Sequence, residues 1–196
     1  MTRLYLFEEE HGPVSTAPAD THACIRTAWE RFTSRIPALA GVPLPPVERT
    51  KNGKPFFLQP EDAQQVALSV SHSGRYLAVA LSEALRIGVD IEDRAWRFRK
   101  TPYDPARYAR IARRFFYPAE CALIAANEDP LRHEEAFFYV WTSKEAAGKR
   151  NGEGIPAALS SFSIDSPDPA VRIVSVRTKD PRLTVTLALP RETSTY

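Results

Sequence analysis

Two short segments carry the side chains best suited to hold a cation and an anion together. Gly88-Val-Asp-Ile-Glu92 has carboxylates at alternate positions. In a strand, that spacing puts Asp90 and Glu92 on one face, roughly 7 Å apart at their bases, with Ile87, Val89 and Ile91 on the other. Such a pair can converge on a hard cation such as Mg²⁺, which accepts one or two protein carboxylates and fills its other positions with water and phosphate. An ordinary charged strand face with Arg86 or Arg94 nearby has the same spacing, and the pair alone does not separate the two readings.

The second segment is Phe137-Phe-Tyr-Val-Trp-Thr-Ser-Lys-Glu-Ala-Ala-Gly-Lys149. Read as a helix, its apolar stripe through Phe137, Val140 and Trp141 continues into Lys144, Glu145 and Gly148. Charge on a buried stripe is costly unless it is paired or bound to metal. Glu145 and Lys149 also have the spacing of a simple surface pair, but that leaves Lys144 unexplained. A Glu145 turned inward completes a set of three carboxylates with Asp90 and Glu92, and Lys144 and Lys149 then flank the anion that the cation holds. A diphosphate suits this arrangement, with metal bridging its oxygens and ammonium groups neutralising a leaving group. No GxxxxGK[ST] loop occurs in the chain, which excludes a P-loop cradle.

The elements that must position these groups follow from periodicity. Arg3–Phe7 reads as a strand, and a helix is expected from about Asp20 to Arg35, with Ile25, Ala28, Trp29, Phe32 and Ile36 on one face. Val66–Ser71 and Tyr76–Leu81 read as a hairpin turned by His72-Ser-Gly-Arg75, and Arg86–Glu92 as a third strand. Residues 93–103 are expected to connect two halves. Helices are expected over 105–115, 118–127 and 132–149, and strands near 160–165, 171–177 and 182–189. This order is α+β, not alternating βαβ. A weak echo links Lys51-Asn-Gly-Lys-Pro55, ahead of Ala67–Ser71, with Arg150-Asn-Gly152 through Pro156, ahead of Ser160–Ile164. It points to halves at 1–93 and 94–196.

Composition narrows the classes. The 196 residues are 43% hydrophobic and 26% charged, with a net charge of +2, so no nucleic-acid or membrane partner is called for. Cys24 and Cys121 are the only cysteines, which excludes a disulfide framework and a cysteine zinc site and fits a reducing cytoplasm. Glu8, Glu9, Glu10 and His11 interrupt the first apolar run, so no signal peptide is expected.

Taken together, Gly88–Glu92, Trp141-Thr-Ser-Lys-Glu-Ala146 and Lys149 resemble the paired signature of the phosphopantetheinyl transferase superfamily. Arg114-Phe-Phe-Tyr-Pro-Ala-Glu120 is similar to the family's intervening motif, and Gly53-Lys-Pro55 and Ser71-His-Ser73 match two more in the expected order. The length is that of the larger, surfactin-synthetase-activating type, which implies a monomeric pseudo-dimer of two α+β halves with the active site between them. Ser69 stands where the family often has Asn, Ala147-Gly148 replaces bulkier residues, and residues 8–20 lack the usual basic stretch.

The resemblance implies that Asp90, Glu92 and Glu145 bind Mg²⁺ with the diphosphate of coenzyme A. It places Lys144 and Lys149 at the phosphates and the departing 3′,5′-ADP, and Glu120 near the metal. Lys54 and Pro55 are expected at the adenine end, with Ser71 and His72 by the 3′-phosphate. The implied reaction is attack by a serine hydroxyl of an apo acyl or peptidyl carrier protein on the β-phosphorus, with Glu145 organising the proton transfer.

Overall fold

A computed structural model describes residues 1–8, 18–84, 86–152, 159, 163–164 and 168–191. Strand β1 (Thr2–Glu8) precedes helix α1 (Pro18–Thr33), which ends short of the expected Arg35; its Ile25, Ala28, Trp29 and Phe32 lie in the core, and so does Ile36 just beyond its end. Strands β2 (Val47–Arg49) and β3 (Pro55–Phe57) form a small ribbon. Strands β4 (Ala67–Ser73) and β5 (Tyr76–Ser82) form the expected hairpin, but the turn is tighter than the sequence reading had it. His72 stays in the ladder opposite Leu77, and only Gly74 and Arg75 make the turn. Gly74 has φ +57°, and a Cβ there would lie 2.7 Å from Trp96 Cβ, so both backbone and space demand glycine.

Strand β6 (Gly88–Asp93) leads into a one-turn helix, α2 (Arg94–Arg97), within the stretch read as a connection. Helices α3 (Pro105–Phe115), α4 (Pro118–Ala125) and α5 (Pro130–Asn151) follow, each with proline at its first position, where no backbone donor is lost. Asp104 caps α3 and Asp129 caps α5, and Gly152 ends α5 with φ +76°. Strands β7 (Val171–Val176) and β8 (Leu183–Pro190) complete the described elements. Most of the strand expected near 160–165, much of residues 8–20 and part of the second echo segment fall outside the described residues.

The result is a mixed α+β architecture with two three-stranded antiparallel sheets, β1-β5-β4 and β6-β8-β7. Alternation along β5 sorts its side chains: Leu77, Val79 and Leu81 pack with Ile25, Trp29 and Phe32 of α1. Tyr76, Ala78 and Ala80 pack instead with Val89, Ile91, Val185 and Leu187 of the second sheet. Helix α5 covers that sheet's outer face, where Ala146 and Ala147 meet Val171 and Ala188 and the Thr142 and Thr186 hydroxyls bond at 2.8 Å. Strand β6 pairs with β8, so the sheet of the second half begins before residue 94. The first half of α5 packs Phe137 and Phe138 against α3 and α4. Among the described residues, no helix is long and apolar enough to cross a membrane.

Candidate active site at the junction of β4, β6 and α5

Strand β6 reaches α5 by direct backbone contact. A side chain at Gly88 would collide with the carbonyl of Ala146 and come within 2.6 Å of the Arg150 nitrogen. Glycine at the head of the Gly88–Glu92 segment therefore lets the strand lie on the helix one turn from Lys149. Alternation then does what the spacing predicts: Val89 and Ile91 enter the core, and Asp90 and Glu92 project from the opposite face.

The two sheets meet along β4 and β6, and serines make the join. Ser69 Oγ accepts the Val89 N–H at 3.0 Å, and Ser73 Oγ accepts the Asp93 N–H at 3.0 Å. Ser71 Oγ donates to Asp90 Oδ1 at 2.7 Å, and Ser73 Oγ donates to Glu92 Oε2 at 2.9 Å. The Ser-x-Ser-x-Ser period of β4 thus matches the Asp-x-Glu period of β6. Ser69, which departs from the family's usual residue, supplies an acceptor at the start of this row.

Asp90 and Glu92 each also carry a cation of the chain. Lys149 Nζ lies 2.6 Å from Asp90 Oδ1 and 2.7 Å from Ser71 Oγ. Arg97 grips Glu92 with two nitrogens, Nε at 3.1 Å from Oε2 and Nη2 on Oε1. Burial pushes the Glu92 carboxyl above the usual glutamate range, while the Arg97 charge and hydrogen bonds pull it back. Among the described residues, Glu145 has neither a hydrogen bond nor an ion pair. Burial, then the Asp90 charge, push its carboxyl up to about 8, with Lys149 opposing, Glu92 adding and Arg97 opposing. Three carboxyl groups therefore share one region with two cations, and the acidic group in excess, Glu145, is the one that burial and its neighbours keep protonated up to about pH 8.

That excess and the all-oxygen donor set fit a hard divalent cation held by Asp90, Glu92 and Glu145. The present arrangement is not a closed cage. Among the described residues, no three His, Cys, Asp or Glu side chains form a group that could hold a metal ion, and Lys149 and Arg97 stand on two of the three candidates.

Lys144 and Glu120 lie elsewhere on the packing surface. Both side chains are fully buried and face each other, with Lys144 Nζ 3.0 and 2.9 Å from the two Glu120 oxygens. Glu120 also accepts the Tyr117 N–H at the start of α4 and the Ile164 N–H, each at 2.9 Å. Burial lowers the Lys144 ammonium, and Glu120 opposes that. As placed, Lys144 has no surface open to a ligand, and the charges acting on Glu145 are Asp90, Lys149, Glu92 and Arg97.

The remaining expected residues divide. Lys54 reaches the end of α5, where its ammonium lies 3.3 Å from the Arg150 carbonyl and 3.4 Å from that of Ile87. Burial lowers the Lys54 ammonium, and Arg150 and Arg86 lower it further. Pro55 is buried at the start of β3. The two Asn-Gly turns of the sequence echo touch, with Asn52 Nδ2 donating to the Gly152 carbonyl at 2.9 Å. Ser71 belongs to the Asp90 group, whereas His72 is exposed and points to the opposite face of β4. Sequence reasoning missed Arg97 and Ser73 as contributors. The alternation of serines at 69, 71 and 73 was the available signal for Ser73.

Comparison with known proteins gives the chain a family. Residues 86–189 match the family described as the 4′-phosphopantetheinyl transferase superfamily, a span that holds β6, α5 and all three carboxylates. A 4′-phosphopantetheinyl transferase of Bacillus subtilis is 32% identical over 112 residues, covering 57% of this chain and 43% of that protein. The 4′-phosphopantetheinyl transferase psf-1 of Bacillus pumilus is 36% identical over 117 residues, 59% of this chain and 43% of its own length. The 4′-phosphopantetheinyl transferase AcpT of Salmonella typhi is 33% identical over 133 residues, 68% of this chain and 62% of its own. The chain thus spans less than half the length of the Bacillus relatives it matches.

Proposed function

Because this chain belongs to the 4′-phosphopantetheinyl transferase superfamily, we propose that it moves the 4′-phosphopantetheine arm of coenzyme A onto a serine of an apo acyl or peptidyl carrier protein and releases 3′,5′-ADP. The observation that carries this reading is the meeting of Asp90, Glu92, Glu145 and Lys149 where β6 lies on α5. Asp90, Glu92 and Glu145 would hold Mg²⁺, which when bound supplies charge neutralisation at the diphosphate.

The chain's own groups supply the rest. Lys149 sits at the edge of the carboxylates with a partly exposed ammonium, placed to bind a phosphate oxygen and offset charge on the leaving 3′,5′-ADP. The oxygen of the carrier serine forms a bond to the β-phosphorus as the bond from that phosphorus to the bridging oxygen breaks. The hydroxyl proton passes to the Glu145 carboxylate, directly or through one water. Ser71 and Ser73 hold Asp90 and Glu92 in their rotamers. Lys144 and Glu120 act one layer away, clamping the start of α4 to α5, and Lys144 reaches phosphate only if that clamp opens. Lys54 and Pro55, at the end of α5, would flank the adenine, and the exposed imidazole of His72 would meet the 3′-phosphate.

We read residues 1–93 and 94–196 as the halves of a monomeric pseudo-dimer acting in the cytoplasm, with β6 contributed to the sheet of the second half. The test is intact mass of a panel of apo carrier proteins after incubation with the chain, coenzyme A and Mg²⁺. A gain of one phosphopantetheine unit, lost with EDTA and with Glu145→Gln, is expected. No gain on any carrier, with coenzyme A bound, would overturn the proposal.

A further inference from the structure

Arg97 is the one cation at the site that neither the spacing of the motifs nor the expected ligand set accounts for. It stands on α2, five residues beyond Glu92, and its fork closes on that carboxylate. The guanidinium lies 5.5 Å over the Phe138 ring and interacts with the Tyr108 hydroxyl, and its charge is felt at Glu145. Its side chain is 42% exposed, while that of Glu92 is 8% exposed. One partner is therefore anchored in the strand, and the other can swing. A planar guanidinium fork fits a phosphate as well as it fits a carboxylate.

We propose that Arg97 is a positioning residue that couples the cation to the phosphorylated ligand. With no phosphate present it sits on Glu92 and competes with a divalent cation for that carboxylate. A diphosphate arriving with the cation gives the guanidinium a second anionic partner, and Glu92 is then released to the metal. The two ligands consequently bind more tightly together than separately, and the coupling runs through one side chain. Lys149 on Asp90 has the same geometry in part, but its single ammonium lacks the fork and it already belongs to the proposed phosphate contacts. This inference rests on the reading of Asp90, Glu92 and Glu145 as cation ligands.

The experiment uses the full chain and two probes. Mn²⁺ alone is titrated and followed by the paramagnetic resonance of the free ion, and coenzyme A is titrated by calorimetry at saturating Mg²⁺. Arg97→Met should bind Mn²⁺ alone roughly fivefold more tightly and coenzyme A with Mg²⁺ roughly fivefold more weakly, as expected for removing a forked ion pair with one buried partner. A merely structural role would weaken both. Arg97→Lys keeps the charge and loses the fork, so its Mn²⁺ affinity should stay near that of the wild type while coenzyme A binding weakens. It also serves as the deciding variant should the Met substitution not fold. Unchanged or weaker Mn²⁺ binding by Arg97→Met, or unchanged coenzyme A binding by either variant, overturns the inference. A wild type that binds neither probe overturns the proposed function with it, whereas one that binds both, with variants alike, overturns the coupling alone.

Discussion

Replacing Glu145 with Gln should change how stability depends on pH, and the size of the change follows from the site. Burial and the charges of Asp90 and Glu92 raise the Glu145 carboxyl from 4.5 to about 8. Between those values the folded chain keeps a proton that the unfolded chain has lost. Stability therefore falls as pH rises through this window and is flat above it. Each pH unit costs about 1.4 kcal/mol, so the whole window gives at most about 5 kcal/mol. Glu145 is only partly buried and its charge is shared with two neighbours, so a loss on the order of 2–3 kcal/mol is a realistic expectation. Gln has the shape of the protonated side chain and does not titrate. The variant should match the wild type near pH 5 and exceed it by that amount at pH 8.5. Urea unfolding in EDTA-containing buffers from pH 5 to 9 measures this directly. Glu92 and His133 titrate in both proteins, so the difference curve isolates Glu145. Parallel curves, or a gap that widens toward acid, would refute the electrostatic account of the site.

Two further outcomes follow from packing. Gly88→Ala places a methyl group against the main chain of α5 and should cost about 3 kcal/mol or more, read from the midpoint of urea unfolding; a change below ~0.5 kcal/mol would show that strand and helix are not in backbone contact. Lys144→Met should cost about 3 kcal/mol by stranding the buried Glu120 charge, and adding Glu120→Gln should recover about 1 kcal/mol, since it removes that charge while its one amide oxygen still accepts one of the Tyr117 and Ile164 N–H groups. Additive losses in the double variant would contradict the pair.

Legibility in the sequence followed the range of the interaction. Period-two alternation in Gly88–Glu92 located Asp90 and Glu92, and the period of α5 placed Lys144 and Glu145 toward the protein, because both are properties of a single element. The pairing of Lys144 with Glu120 was not legible, since it depends on how α4 crosses α5 and nothing in either period encodes the crossing. Arg97 was missed because its direction is set by the single turn of α2, itself positioned by the Asp93 carboxylate accepting the Trp96 N–H. His72 was read into the turn because Ser-Gly-Arg follows it, whereas the ladder continues until Gly74 supplies positive φ. The β2–β3 ribbon escaped notice because each strand is three residues long, too short for alternation to register.

The row of serines between β4 and β6 has a mechanical meaning of its own. A continuous ladder would have to be unzipped along its length before the two sheets could separate. Hydroxyl bonds from Ser69, Ser71 and Ser73 can let go one at a time and re-form to water, leaving both ladders whole. That edge of the contact, beside Asp90 and Glu92, can therefore loosen while the apolar contact of Tyr76, Ala78 and Ala80 with Val89, Ile91, Val185 and Leu187 keeps the two sheets together.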